Sequence, residues 1–332
     1  MANKKIYALG MDIGYSALKL AMGHVDSGSP KTLVLPAGAG PAEMLPRSAR
    51  GATGSAIRVL VNGNEWVAGV EPSRLQGWTR ELHEDYSATD NYKALFYAAL
   101  ACSEENKIDV LVTGLPSSQY KDDAIVERLR KQLVGKHQIA PKREVEVCDV
   151  VILPQPAGAY VNALQTCKDE KIRRLLEDSS VLVLDPGYFS YDWALMVESD
   201  LHESSCGTSL KAMSLVLEET NTLISKQYGV APGIDPLERR IRNGEFTVPV
   251  GADLVDVKPY FDEARASVVG NAVTEMRNQL RNTRAPNVVI IAGGGATAWE
   301  DQANELFKEQ SKIIVPENPV LANALGFWAA AS

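Results

Sequence analysis

Val181-Leu182-Val183-Leu184-Asp185-Pro186-Gly187-Tyr188-Phe189-Ser190-Tyr191-Asp192 is the stretch on which the fold turns. Its four leading apolar residues read as a buried strand and Asp185-Pro186-Gly187 as a tight turn, with Asp192 on the strand that returns. A carboxylate is thereby held at a strand end. The neighbouring glycine has no Cβ, so backbone amides can approach an anionic group, which suits a phosphate next to a carboxylate-bound Mg²⁺. Ordinary hairpins also use Asp-x-Gly turns, so the reading needs a second signal.

That signal stands near the N-terminus. Ile6-Tyr7-Ala8-Leu9-Gly10-Met11-Asp12-Ile13-Gly14-Tyr15-Ser16-Ala17-Leu18-Lys19-Leu20 is again strand, Asp-x-Gly turn and returning strand, with Lys19 on the second strand. One such hairpin in each half is what a duplicated domain leaves behind, each half giving one hairpin to a nucleotide cleft between them. A chain of 332 residues accommodates two domains of roughly 150 residues each.

Apolar content of 45% and charged content of 23% are those of a soluble globular protein, and a net charge of −8 predicts no nonspecific grip on nucleic acid. Cys102, Cys148, Cys167 and Cys206 form no Cys-x-x-Cys pair and read as reduced thiols of a cytoplasmic protein. His24, His83, His137 and His202 show neither zinc spacing nor a Ser-His-Asp order. The basic start imitates a signal peptide, but Asp12 interrupts the apolar run and no clean cleavage site follows. No window approaches the roughly 20 apolar residues of a spanning helix, so no membrane role is expected.

Between the hairpins, the turn formers of Val34 to Pro41, the strand Ile57–Val61, the turn Asn62-Gly63-Asn64 and the strand Glu65–Gly69 suggest a small β-rich insertion at about 36–85. A helix is expected at 89–103 behind Thr89 or Asp90, then a buried strand from Ile108 to Pro116, a charged helix at 121–134 and a strand from Val145 to Leu153. This alternation argues for an α/β protein. Pro154-Gln155-Pro156-Ala157-Gly158-Ala159 opens the next helix, where Gln155 reads equally as a capping amide or a functional one.

Past the central stretch, Gly207-Thr208-Ser209 is read as the entry to a helix at 207–228. A short helix at 236–243 carries Arg239, Arg240 and Arg242, either a face for an acidic partner or a solvated helix end. A long helix at 257–282 has core spacing, and Asn287 to Ala292 is a buried strand running into Gly293-Gly294-Gly295. Three bare glycines suit the close approach of a flat ring or a phosphate; a flexible loop is the other reading. A strand at 313–315 and a helix from Val320 to Ala330 finish the chain.

Taken together, these pieces resemble the actin-like ATPases, the superfamily shared with the 70-kDa heat-shock chaperones and sugar kinases. The order matches: first phosphate hairpin (Asp12, Gly14, Lys19), first connecting helix (Gln155, Ala157, Gly158), second phosphate hairpin (Asp185, Gly187, Ser190, Asp192), adenosine motif (Gly293, Gly294, Gly295) and second connecting helix (Asn323, Ala324, Gly326). Length, the small insertion and the Leu-Pro-x-Pro-Ala-Gly-Ala-Tyr helix start are similar to the plasmid-segregation branch, the ParM/StbA actins. Where the family usually has Asp-x-Gly-Gly-Thr-Thr-x-Asp, Tyr188 and Phe189 replace Gly-Thr, and Ser190 keeps a hydroxyl. Tyr15 and Ala17 also depart from the usual hydroxylic or amide residues.

The resemblance implies an α/β, two-domain actin-like fold with a ribonuclease-H-like core in each domain and a nucleotide cleft between them. Domain I would be residues 1–165, with the C-terminal helix at about 319–332 packed back on it; domain II would be 166–318, with a helical insertion at about 211–285. The halves would meet only through nucleotide and the connecting helices. The implied ligand is ATP, with GTP the alternative, and Mg²⁺ held through water by Asp12 and Asp185. Lys19 would neutralise phosphates, Gln155 would orient the attacking water and Asp185 would assist it. Gly14, Tyr15, Ser16, Gly187, Tyr188, Ser190, Asp192, the three glycines and Asn323 would complete the site. The implied partners are the protein itself, in a helical filament, and a DNA-binding adaptor at a plasmid centromere, without direct tight DNA binding. A small-molecule kinase and a non-polymerising nucleotide-gated scaffold are the alternatives.

Overall fold

The computed structural model of the chain describes residues 5–46, 56–78 and 84–331. Strand β1 (Tyr7–Ile13) is buried along nearly its whole length, and Gly14 closes the turn after it by donating its N–H to the Ala17 carbonyl at 3.0 Å. β2 (Ala17–His24) returns antiparallel, and β3 (Lys31–Pro36) pairs on its far side. β4 (Gly38–Pro41), β5 (Ile57–Val61) and β6 (Asn64–Val70) then form a small separate sheet. Of the insertion expected there, residues 47–55 and 79–83, with His83, lie outside the described residues. Helix α1 (Asp90–Cys102) starts at Thr89, whose hydroxyl accepts the Tyr92 N–H. β7 (Lys107–Leu115) runs parallel to β1. After α2 (Ser117–Tyr120) and α3 (Asp123–Leu133), β8 (Gly135–Ala140) and β9 (Arg143–Pro154) complete a six-stranded sheet of order β3-β2-β1-β7-β9-β8. Helix α4 (Gln155–Thr166) leaves the end of β9.

The second half repeats the pattern. After α5 (Glu170–Asp178), β10 (Ser180–Pro186) and β11 (Tyr191–Val197) form the second hairpin, which β12 (Asp200–Leu201) extends and β13 (Gly207–Ser209) also joins. An insertion follows, made of α6 (Met213–Tyr228), α7 (Ile234–Arg242), the hairpin of β14 (Thr247–Val250) with β15 (Asp253–Asp256), and α8 (Lys258–Leu280). β16 (Val288–Ile291) returns parallel to β10, and α9 (Ala296–Phe307), β17 (Lys312–Ile314) and α10 (Ala322–Ala329) follow. The order β12-β11-β10-β16-β17 copies β3-β2-β1-β7-β9: a hairpin, a third antiparallel strand, then two parallel strands. β10 is apolar without alternation because both its faces are covered. Leu182 and Leu184 pack with Val269, Met276 and Trp299, while Val181 and Val183 pack with Ala159 and Tyr160 of α4.

Two expected details differ. Gly207-Thr208-Ser209 is a strand rather than a helix entry, with Thr208 opposite Asp192, and the helix begins at Met213. A strand edge that needs a partner leaves no trace in local periodicity. Gly38–Pro41, read as turn residues, is also a strand, because Gly38 lies so close to the Val70 carbonyl that a Cβ would stand 2.2 Å from its oxygen.

The halves exchange helices. α4 follows the first sheet in the chain yet packs on the second, while Ala324 and Trp328 of α10 pack on Ala8 and Ala21 of the first. Where the two helices cross, a Cβ on Gly326 would stand 1.7 Å from the Gly158 oxygen. The connecting helices are not the halves' only junction. α2 docks on β11 and β13, Glu71 pairs with Arg242 at 3.0 Å, and Tyr15 meets Phe189 with ring centroids 4.6 Å apart.

Gly326→Ala should therefore lower stability by roughly 3 kcal/mol, the upper end of what overpacking costs. Gly270→Ala, on α8 with nothing within 4 Å of its Cβ position, should be neutral or slightly stabilising. Urea unfolding of the pair measures both; equal midpoints would show that α4 and α10 do not cross at these glycines.

Candidate functional site

Both hairpins present their turns to one cleft. In the first, strand register sets Asp12 opposite Lys19, and the ammonium lies 2.8 Å from the carboxylate. Asp12 is 2% exposed. Burial pulls the Lys19 pKa down, but Asp12 and Asp185 outweigh it, so Lys19 is held above the ordinary lysine value. The other Asp12 oxygen accepts from Gln155 Nε2 at 3.4 Å. Gln155 follows Pro154, the N-cap of α4, and no side chain caps that helix; its amide is turned toward the cleft carboxylate.

In the second hairpin, Gly187 donates its N–H to the Ser190 carbonyl at 2.8 Å, and Asp185 stands at the strand end. Asn323 donates from Nδ2 to Asp185 at 2.7 Å and accepts the Ala159 N–H at 3.1 Å. It lies behind the cleft wall, so its service to a ligand runs through Asp185. Burial pushes the Asp185 carboxyl up to about 7, with Asp12 and Asp192 adding to the rise and Lys19 and Asn323 opposing it. Asp192, which lines the cavity behind the tip, accepts from Ser190 Oγ at 2.6 Å, Thr208 Oγ1 at 2.5 Å and the Ser117 N–H at 2.9 Å.

The three glycines are no loose loop. Gly293, at φ 80°, sits where a Cβ would be 2.2 Å from an Asp185 oxygen, and Gly295 donates its N–H to the Pro186 carbonyl at 2.8 Å. Gly294 alone is exposed, with open space where its Cβ would be. The two bulky residues of the second turn diverge. Tyr188 packs against the insertion around Leu217, Leu237 and Val255, while its carbonyl accepts the Ser214 N–H at 2.7 Å. Phe189 turns to Tyr15, which stacks on Tyr86 at 4.5 Å.

The cleft is about 1050 Å³ and is lined by Asp12, Lys19, Gln155, Asp185, Ser190 and Asp192, together with Gly14, Tyr15, Ser16, Gly187, Tyr188, Gly294 and Gly295. It is also lined by the Glu71–Arg242 pair, which sequence reasoning missed because its members are 171 positions apart. Arg240 pairs with Glu245, so two of the three arginines of α7 are spent within the molecule. Among the described residues no group of three or more His, Cys, Asp or Glu side chains could hold a metal ion by itself. Asp12 and Asp185 on facing walls suit a cation that keeps most of its water and its other ligands from phosphate.

Two duplicated sheets that exchange connecting helices around an acidic, lysine-bearing cleft define a two-domain protein of the actin-like fold. Residues 10–158 match the family model of the actin-like proteins' N-terminal domain, and nearly the whole chain has the actin-like fold. The archaeal actin homologue Ta0583 is similar over 98% of this chain and 99% of its own, at 19% identity and a TM-score of 0.76. A non-polymerisable quadruple mutant of the ParM of pCBH is similar over 98% of both chains, at 17% identity and a TM-score of 0.75. ParM in a 15-stranded filament from Clostridium botulinum is similar over 98% of both chains, at 17% identity and a TM-score of 0.71. No curated protein sequence matches the chain.

The raised Asp185 pKa sets a pH dependence. The folded carboxyl keeps its proton up to about 7, while the unfolded one, near 3.8, has lost it. The group's favourable contribution is complete below the unfolded value and disappears as pH rises through the folded one. In nucleotide-free protein, Asp185→Asn should therefore raise Tm relative to the parent increasingly between about pH 5 and pH 8. Thermal unfolding across that range checks this; a difference flat in pH would mean that Lys19 keeps Asp185 ionised throughout.

Proposed function

We propose that this protein is a nucleotide-dependent, filament-forming actin-like ATPase that segregates plasmid DNA through an adaptor. The observation that carries the reading is the convergence of Asp12, Lys19 and Gln155 from one half with Asp185 from the other on a single cavity. A structure of Ta0583 with ADP supports a nucleotide as the ligand, and the ParM filament supports self-assembly.

In this mechanism Lys19 offsets phosphate charge, and the backbone amides of Ser16 and Gly294 take phosphate oxygens or lie along the nucleoside, at turns that Gly14 and Gly187 close. Asp12 and Asp185 would hold hydrated Mg²⁺ through its water, and the ion would supply charge neutralisation at the phosphates. Gln155, steered by its contact with Asp12, orients the attacking water. Asp185, on the wall facing Asp12 and Gln155, assists that water. ATP is the expected nucleotide and GTP the alternative. Binding draws the walls together and favours a filament contact, and hydrolysis releases it. With a net charge of −8, the polymer reaches DNA through a separate centromere-binding protein. No helix among the described residues is long and apolar enough to cross a membrane, and a cytoplasmic location is proposed.

Gln155→Ala should lower kcat roughly 100-fold with KM little changed, because a water-orienting amide acts in the transition state more than in the ground state. Phosphate-release kinetics check this, and a large loss of affinity with normal turnover would make Gln155 structural. Electron microscopy and light scattering at micromolar protein with ATP, ADP and a non-hydrolysable analogue should show filaments with the triphosphates and their loss with ADP. A protein that stays monomeric throughout while phosphorylating a metabolite is instead a small-molecule kinase.

A further inference from the structure

We propose that Asp192 is a positioning residue that relays the state of the second hairpin to the junction between the halves, through Ser190 on one side and Thr208 and Ser117 on the other. The inference rests on the nucleotide reading of the cleft. Its basis is that one buried carboxylate, 2% exposed, collects three donors from three different places. Ser190, at the hairpin tip and on the cleft wall, donates to Oδ2 at 2.6 Å. Oδ1 accepts the Thr208 hydroxyl of β13 at 2.5 Å and the Ser117 N–H of α2 at 2.9 Å. The α2 segment is the continuation of β7 in the first sheet, so these bonds cross from one half to the other.

The junction is tied further at the same place. Ser117 Oγ donates to the Trp193 carbonyl at 3.2 Å, Ser118 N–H to Thr208 Oγ1 at 3.1 Å, and Lys121 Nζ to the Cys206 carbonyl at 2.8 Å. Thr208 therefore passes one hydrogen bond on to the next, donating to Asp192 while accepting from Ser118.

The relay follows from proton counting. A serine hydroxyl has one hydrogen to donate, and in this structure Ser190 gives it to Asp192. The lone pairs left toward the cleft repel an anionic phosphate. A phosphate that bonds Ser190 must take that hydrogen, which removes one of the three donors holding the Asp192 charge in a buried site. An underserved buried carboxylate draws harder on its remaining donors, Thr208 and the Ser117 N–H, and the α2–β13 contact tightens. Phosphate at the hairpin and the tightness of the junction are thus coupled through one side chain. The coupling is reciprocal, because a junction pulled apart leaves Asp192 more dependent on Ser190.

Hydrogen exchange of the Ser117 and Ser118 amides tests this, in the full chain with and without saturating Mg-ATP, with binding verified by calorimetry in each variant. In the parent, ATP should slow both amides about fivefold or more. In Ser190→Ala, where Asp192 has already lost that donor, both amides should exchange more slowly in the free protein, whereas in Thr208→Val and Asp192→Asn they should exchange faster; in all three the ratio between free and bound states falls toward one. A merely structural Asp192 would speed exchange in both states and leave that ratio at the parent's value. Retention of the parent ratio in Ser190→Ala or Thr208→Val with ATP bound would overturn the relay. Absence of ATP binding by the parent would overturn the nucleotide reading and the relay with it.

Discussion

The backbone contact between Gly158 of α4 and Gly326 of α10 is the constraint on which the rest of the structure depends. Helices can approach so closely only where neither carries a side chain, and a Cβ on Gly326 would overlap the Gly158 carbonyl. The crossing matters because each helix packs on the other half's sheet. It also delivers Asn323, which takes the Ala159 N–H with its oxygen and offers its nitrogen to Asp185. The position of one cleft carboxylate is thus set by the helices that join the halves, so any change in their crossing is felt at Asp185.

Electrostatics in the cleft follow from putting Asp12, Asp185 and Asp192 near one lysine in a place water reaches poorly. Lys19 is shared, which keeps it protonated and leaves Asp185 undercompensated near neutral pH. A cation between the walls would relieve that and draw the carboxyl back down. Glu71 and Arg242 also line the cavity, as an ion pair with side chains 37% and 42% exposed. Such a pair contributes little to stability by itself, on the order of 1 kcal/mol or less.

Tyr188 and Phe189 show how a turn tolerates bulk. The resemblance put small residues there, and two aromatic rings ought to crowd a phosphate. One ring is absorbed by the apolar face of the insertion and the other by Tyr15 and Tyr86, so the turn keeps its Gly187–Ser190 closure. Phe189 replaces a hydroxyl with a ring that touches the opposite hairpin, and that contact joins the two turns directly.

What the sequence determined by itself is what neighbours along the chain determine. Alternation, turn chemistry and glycine placement are local, so both hairpins, Lys19 on the returning strand of the first and the duplication were legible, as was the helix after Thr89. The relation between distant residues was decided only by tertiary structure. Gln155 read equally as a cap or a functional amide until the fold placed Asp12 beside it. Gly293 to Gly295 read as a ligand loop or a flexible one until Asp185 and Pro186 were found filling the space two missing Cβ atoms leave. Gly207 to Ser209 read as a helix entry because nothing nearby reveals that the edge of β11 needs a partner. Asp192 read as a ligand contact, and it does line the cavity; what the sequence did not show is that Thr208 of β13 and Ser117 of the opposite half also donate to it. A hydrogen bond or an ion pair depends on distance in space, and a sequence records only distance along the chain.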